Sequence, residues 1–171
     1  MRIKDSVVTA YEWLVRFGNS LQSLLLLFVR VYWGWQFMQT GWGKLSHLAK
    51  VTSFFTSLGL PFPHGTAAFI SVLEFIGGIL LILGLGSRLI SALLFIDMMV
   101  AYVVADRVAL LSFTSDPGKF YGADEYTFLF AAVLVLVFGP GRFSIDTLLK
   151  AWTESKMDAN GGAALNASRV L

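Results

Sequence analysis

Apolar residues gather in four long blocks along this chain, each separated by short polar punctuation and too poor in charge to be one face of a water-soluble helix. The blocks run approximately Leu21–Thr40, Thr66–Leu85, Leu89–Ala105 and Tyr126–Phe138. A hydrocarbon core of about 30 Å is crossed by roughly 20 helical residues at about 1.5 Å each. The pattern therefore predicts four transmembrane helices, the last of them short. The second and third are joined by Gly84-Leu85-Gly86-Ser87-Arg88, which leaves room only for an antiparallel hairpin.

Weaker periodicities flank the blocks. Ile3, Val7, Ala10, Tyr11 and Leu14 share one helical face, and Asp5, Thr9, Glu12 and Arg16 the other, which predicts an amphipathic helix lying on the membrane surface over residues 1–19. Leu45, Leu48, Thr52 and Phe55 predict a second surface helix, stopped by Gly59-Leu60-Pro61-Phe62-Pro63 and capping that face of the bundle. Ser115-Asp116-Pro117-Gly118 has the composition of a turn. Beyond Met157 the residues are small and polar, and the segment is expected to lack fixed structure. The predicted fold is an all-α membrane protein: a four-helix transmembrane bundle over residues 20–150 with short amphipathic surface helices and a disordered tail within 151–171.

Composition strengthens the membrane reading. Hydrophobic residues make up 56% of the chain and charged ones 14%, against about 25% charged in globular proteins. Aromatic residues reach 15%, in keeping with belts of Trp and Tyr at the bilayer surface. A net charge of +2 is too small to indicate nucleic acid. The first twenty residues lack the continuous apolar stretch of a cleavable signal peptide, so the first span is expected to direct insertion. Arg2, Lys4, Arg16, Arg88, Arg142, Lys150, Lys156 and Arg169 fall on the side of the termini, and Lys44, Lys50, Arg107 and Lys119 on the other. The positive-inside rule then places both termini in the cytoplasm.

Three charges lie deep within the blocks: Arg30, Glu74 and Asp97. Each costs about 2.5–3.5 kcal/mol on insertion scales, so all three are expected to face inward and find partners. Counting depth along antiparallel helices sets Arg30 level with Asp97 and Glu74 about one turn nearer the outside, in a single mid-membrane cluster. One cation against two carboxylates makes a polar pocket able to exchange a proton; the competing reading is an ion-paired clasp that fixes helix register. Tyr32, Trp33, Trp35, Gln36 and Gln39 are candidates to line the pocket, although helix geometry sends some of them to lipid. Gly34 and Gly41 fall on the Arg30 stripe and Gly77 and Gly78 on the Glu74 stripe, where small residues permit close helix approach.

Other chemistry is excluded or left without ligands. The chain has no cysteine, hence no disulfide, thiolate or iron–sulfur cluster. His47 and His64 both fall in the first outer loop, which argues against a haem held between spans, and their spacing matches no zinc motif, so no metal is expected. Neither a nucleotide-binding glycine motif nor a serine hydrolase arrangement is present.

From roughly Leu21 to Lys150 these residues resemble the DoxX family of small bacterial membrane proteins. The first signature is the Arg30 helix ending in Gly41-Trp42-Gly43-Lys44. The second is Glu74-Phe75-Ile76-Gly77-Gly78 running to Gly84, with Ser87-Arg88 after it. The third is Gly139-Pro140-Gly141-Arg142-Phe143-Ser144-Ile145-Asp146. The resemblance implies a four-helix fold in a bacterial inner membrane and an association with quinone-linked redox chemistry, since relatives include the membrane subunit of a thiosulfate:quinone oxidoreductase. Joined to the intramembrane charges, it leads to an integral subunit of a redox membrane complex, with Glu74, Asp97 and Arg30 expected as a proton-exchanging cluster and Trp33, Gln36 and Lys44 expected in contact with a quinone headgroup. Quinone is then the expected cofactor, without haem, flavin, iron–sulfur cluster or metal, and the partners are the lipid bilayer and other membrane subunits. The alternatives are a structural or accessory subunit of a larger respiratory or photosynthetic assembly and a small transporter, the latter disfavoured by the lack of an internal repeat.

Overall fold

A computed structural model describes residues 2–168, with side chains from Val7 to Met157, so the expectations for the side chains of Ile3 and Asp5 and the charges of Arg2 and Lys4 lie outside the described side chains, and Arg169 lies outside the described residues. The chain is helical, with no strand among the described residues. Eight helices follow in order: α1 Arg2–Ser46, α2 Leu48–Ser57, α3 Pro63–Leu83, α4 Ser87–Val104, α5 Arg107–Leu111, α6 Pro117–Tyr121, α7 Asp124–Phe138 and α8 Ile145–Ser168.

Three helices are long and apolar enough to cross a membrane: the Val7–Ser46 part of α1, α3 and α4. The fourth block forms α7, which has 15 residues and spans only about 22 Å at the helical rise. It still completes the bundle, because α1 packs on α3, α3 on α4, α4 on α7 and α7 back on α1. Phe37, Leu81, Leu94, Met98, Ala132 and Val135 fill the interior these four helices enclose.

Gly84, with φ +69, ends α3, and Gly86, with φ +59, precedes α4. Both turns of the tight hairpin thus occupy the left-handed region that glycine enters without a side-chain clash. This hairpin and the α7–α8 connection lie at one end of the bundle, the hairpin end. Helices α2, α5 and α6 lie in the connections at the other, the loop end.

The register of α1 against α3 is set by small residues. A Cβ added to Gly78 would stand 2.5 Å from the Gly34 carbonyl oxygen, and one added to Gly34 would stand 2.8 Å from Ile82 Cγ1. At Gly41 a Cβ would collide with the backbone of Phe75 and Ser71. The two helices touch backbone to backbone over three turns, as small-residue stripes allow. Since the stripes fix which residues face each other, they also place the charged side chains.

Two expectations about the ends of the chain change. The amphipathic segment is helical but is not a separate surface helix: it runs without a break into the first span, giving α1 45 residues. No proline interrupts it, and Ser20 Oγ donates to the Arg16 carbonyl across the weak Gly18-Asn19 step at 2.9 Å. From Val7 to Gln22 every residue is exposed, the apolar Val7, Tyr11 and Leu14 included. The tail expected to be disordered instead continues α8 as far as Ser168. Ala159, Ala163, Ala164 and Ala167 carry the best intrinsic helix propensity and offset the adjacent Gly161-Gly162. The expected surface helix between the first two spans is present as α2, with Phe55 turned inward, and the Asp116-Pro117 turn opens α6, where the Asp116 carboxylate accepts the Lys119 N–H.

Candidate functional site

The register of α1 on α3 brings Lys44 against Glu74, and their charged groups meet at 2.5 Å. Glu74 and Asp97 lie eleven and twelve residues from Leu85 at the midpoint of the α3–α4 hairpin, so the antiparallel helices deliver both carboxylates to nearly the same level. Glu74 is 1% exposed and Asp97 7% exposed. Lys44, Glu74 and Asp97 line a common cavity of about 320 Å³, whose apolar wall includes Phe54 and Phe55 of α2 and Val100 of α4. Glu125 reaches the same cavity from α7. A smaller cavity of about 170 Å³ shares Lys44, Glu74 and Glu125 and adds Phe37 and Asp124. α2 thus caps a space that contains the buried charges.

Charge is not balanced within this set. Lys44 bonds Glu74 Oε1, whereas Glu74 Oε2 and Asp97 Oδ2 are buried without a hydrogen-bond partner. Two desolvated carboxylates share one ammonium, so the second requires a proton or an incoming donor. An acceptor-rich polar spot in an otherwise apolar wall can orient an amphiphilic headgroup and exchange protons with it.

Arg30 does not join this cluster. It is fully buried, but at the hairpin end, where its Nη2 donates to the Phe143 carbonyl at 2.5 Å. Gly84 makes room for the guanidinium, because a Cβ there would collide with Nη1. Beside it, the Asp146 carboxylate accepts the N–H groups of Gly86 at 2.7 Å and Ser87 at 2.9 Å, and the Asp146 N–H donates to the Gly84 carbonyl at 2.9 Å. A residue sixty positions away thereby caps the orphan N–H groups at the start of α4. Burial pushes the Asp146 carboxyl up, but the Ser87 and Gly86 N–H groups and the Arg30 charge outweigh it and hold the group below its ordinary value. These contacts form a clasp tying α1, the hairpin and the entry to α8.

Residues 25–107 match the family model described as DoxX. The chain carries a DoxX domain. No curated protein and no solved structure matches it. The matched stretch opens in α1, ends at the start of α5 and contains Arg30, Lys44, Glu74 and Asp97, so both ends of the bundle draw on it. The domain and its apolar helices make this a membrane protein.

Within the DoxX domain, the single cluster expected from the depth count resolves into two sites. Arg30 and Lys44 are fourteen residues apart on α1, about 21 Å along the axis. The count took Leu21 as the membrane edge, but the packed part of α1 is displaced toward Ser46, and Arg30 lies level with Gly84. Glu74 is level with Asp97 rather than a turn beyond it. Of the three residues expected to contact a headgroup, Lys44 lines the cavity. Trp33 packs against the core with its ring against Tyr32 and Phe28, and Gln36 is half-buried without lining either cavity named above. Tyr32 and Trp35 are exposed, and so is Gln39. His47 and His64 are exposed as well, and no group of three or more metal-ligating side chains occurs among the described residues. Glu125, at the loop end of the short last block, lines the cavity, whereas sequence reasoning gave Asp146 no role, although the Gly139-Pro140-Gly141 run, whose glycines take positive φ, marks a tight fold-back of the chain.

Proposed function

We propose that this DoxX protein is the quinone-binding membrane subunit of a redox complex in a bacterial inner membrane, with the headgroup seated in the loop-end cavity. The observation that supports this reading is the half-buried Lys44 set against the buried Glu74 and Asp97 in the apolar wall of a cavity of about 320 Å³. That volume lies at the small end of ligand pockets, which run from about 300 to 1,000 Å³. In this reading α7 crosses as a short fourth span, the termini are cytoplasmic and the cavity opens toward the outer leaflet, as the distribution of Lys and Arg favours. Glu74 and Asp97 exchange protons with the headgroup, Lys44 holds Glu74 in place and Arg30 maintains the fold. The chain has no cysteine, so thiol electron carriers are left to partner subunits.

Purification from the native membrane in mild detergent, followed by mass measurement of the intact complex, tests this. A quinone that leaves with the protein and is lost in Glu74→Gln supports the assignment; a complex that turns over quinone at an unchanged rate with Glu74→Gln overturns it. A second reading, an accessory subunit of a larger assembly, draws on the exposed Val7, Tyr11, Trp13 and Leu14 of α1, which protrude beyond the bundle. A stable, quinone-free complex with partner subunits favours that reading.

A further inference from the structure

The hydrogen-bond inventory of the loop-end cavity discriminates between the two redox forms of a quinone. Its buried acceptors are Glu74 Oε2 and Asp97 Oδ2, which no donor from the rest of the protein satisfies; they belong to carboxyls that lie against each other, on residues 1% and 7% exposed. Lys44, the cation beside them, is already committed to Glu74 Oε1 at 2.5 Å. The remaining charged groups lining this cavity are Lys50 from α2 and Glu125 from α7, so carboxylates outnumber ammonium groups here. An oxidised quinone presents two carbonyl oxygens, which only accept; against these carboxylates they meet like partial charge and leave the buried oxygens unsatisfied. The reduced form presents two hydroxyls, which donate. A carboxylate oxygen left without a donor carries its full desolvation penalty, and a hydroxyl directed at it removes that penalty with a charge-assisted hydrogen bond.

We propose that the loop-end cavity holds the dihydroxy, two-electron-reduced form of a quinone in preference to the oxidised form, with one hydroxyl directed at the paired Glu74 and Asp97 carboxyls and its ring against Phe54, Phe55 and Val100. This rests on the quinone-binding reading above. Tighter binding of the reduced form stabilises it relative to the oxidised one, which raises the midpoint potential of the bound couple by about 30 mV for each tenfold preference.

The full chain in lipid nanodiscs, titrated anaerobically with a decyl-substituted benzoquinone and separately with its chemically reduced quinol, tests the proposal against empty nanodiscs. The quinol is expected to bind about tenfold tighter or more, as one charge-assisted hydrogen bond allows. Glu74→Gln replaces an acceptor oxygen with an amide N–H and should bring the two forms near parity. Asp97→Asn leaves the Lys44–Glu74 pair intact, so it reports the same loss of preference if Glu74→Gln fails to fold, which the melting temperature reveals. Equal affinities, or tighter binding of the oxidised form, overturn the proposal while the site remains a quinone site. Binding of neither form overturns the quinone reading itself. A quinol preference that persists in folded Glu74→Gln and Asp97→Asn removes these carboxylates from the recognition.

Discussion

Single side chains decide what each end of the bundle does. Arg30 binds the Phe143 carbonyl from a fully buried position, and Gly84 is small because the guanidinium needs the space. Arg30→Ala should therefore destabilise the protein by about 1.5–3 kcal/mol, the range for a hydrogen bond to a charged group. Because Arg30 is remote from the cavity, protein that still folds should keep the quinone affinity proposed for that cavity; thermal melts in detergent and binding titrations on the same sample check both. Asp146 makes the clasp sensitive to acid. Its folded pKa lies below the unfolded value, so its contribution is present above about pH 4 and is lost as the pH falls through the folded value. Melting temperatures taken from neutral to acid pH should show an acid-side fall that is smaller in Asp146→Asn, and identical profiles for the two proteins would remove the carboxylate from the clasp.

At the scale of helices, the α1–α3 stripe controls whether the charges meet at all. Gly41→Ala places a methyl against the Phe75 backbone, which has no flexible side chain to withdraw, whereas Gly43→Ala meets nothing within 4 Å. The first substitution should separate the helices, weaken the Lys44–Glu74 contact and lower the melting temperature. The second should be neutral or stabilising by about 0.5–1 kcal/mol, since alanine is the better helix former. A melt series of the two variants checks the contrast, and equal losses would mean that the stripe does not set the register. The same stripe shows what the sequence could convey. The glycine spacing and the charged residues of α1 and α3 were legible, as were the hairpin and α2, because apolar periodicity and turn chemistry are local signals. Which residue faces which depended on the sliding register of α1, which a count from an assumed membrane edge at Leu21 misplaced. Glu74 and Asp97 could have been paired from the sequence, because the hairpin midpoint alone makes them level. Asp146 could not, since its partners lie across a connection whose path is tertiary.

For the molecule as a whole, the number and direction of the membrane crossings set how the bundle lies in the bilayer. The chain has no cysteine, so single cysteines report position against a silent background. If α1, α3, α4 and α7 all cross, the loop end and α8 lie on opposite faces even though α7 is short. Lys119 of α6 and Ser155 of α8 are both exposed and belong to those opposite ends. On the proposed orientation, with cytoplasmic termini, Lys119→Cys in intact cells should react with a membrane-impermeant maleimide, and Ser155→Cys should react only after the membrane is opened. If α7 instead folded back without crossing, α6 and α8 would share one face and both cysteines would label under the same condition. The reverse pattern, with Ser155→Cys labelled first, would keep four crossings but invert the orientation, turning the loop-end cavity toward the cytoplasm. The experiment thus separates the number of crossings from their direction, and it fixes the side toward which the cavity lined by Glu74 and Asp97 faces.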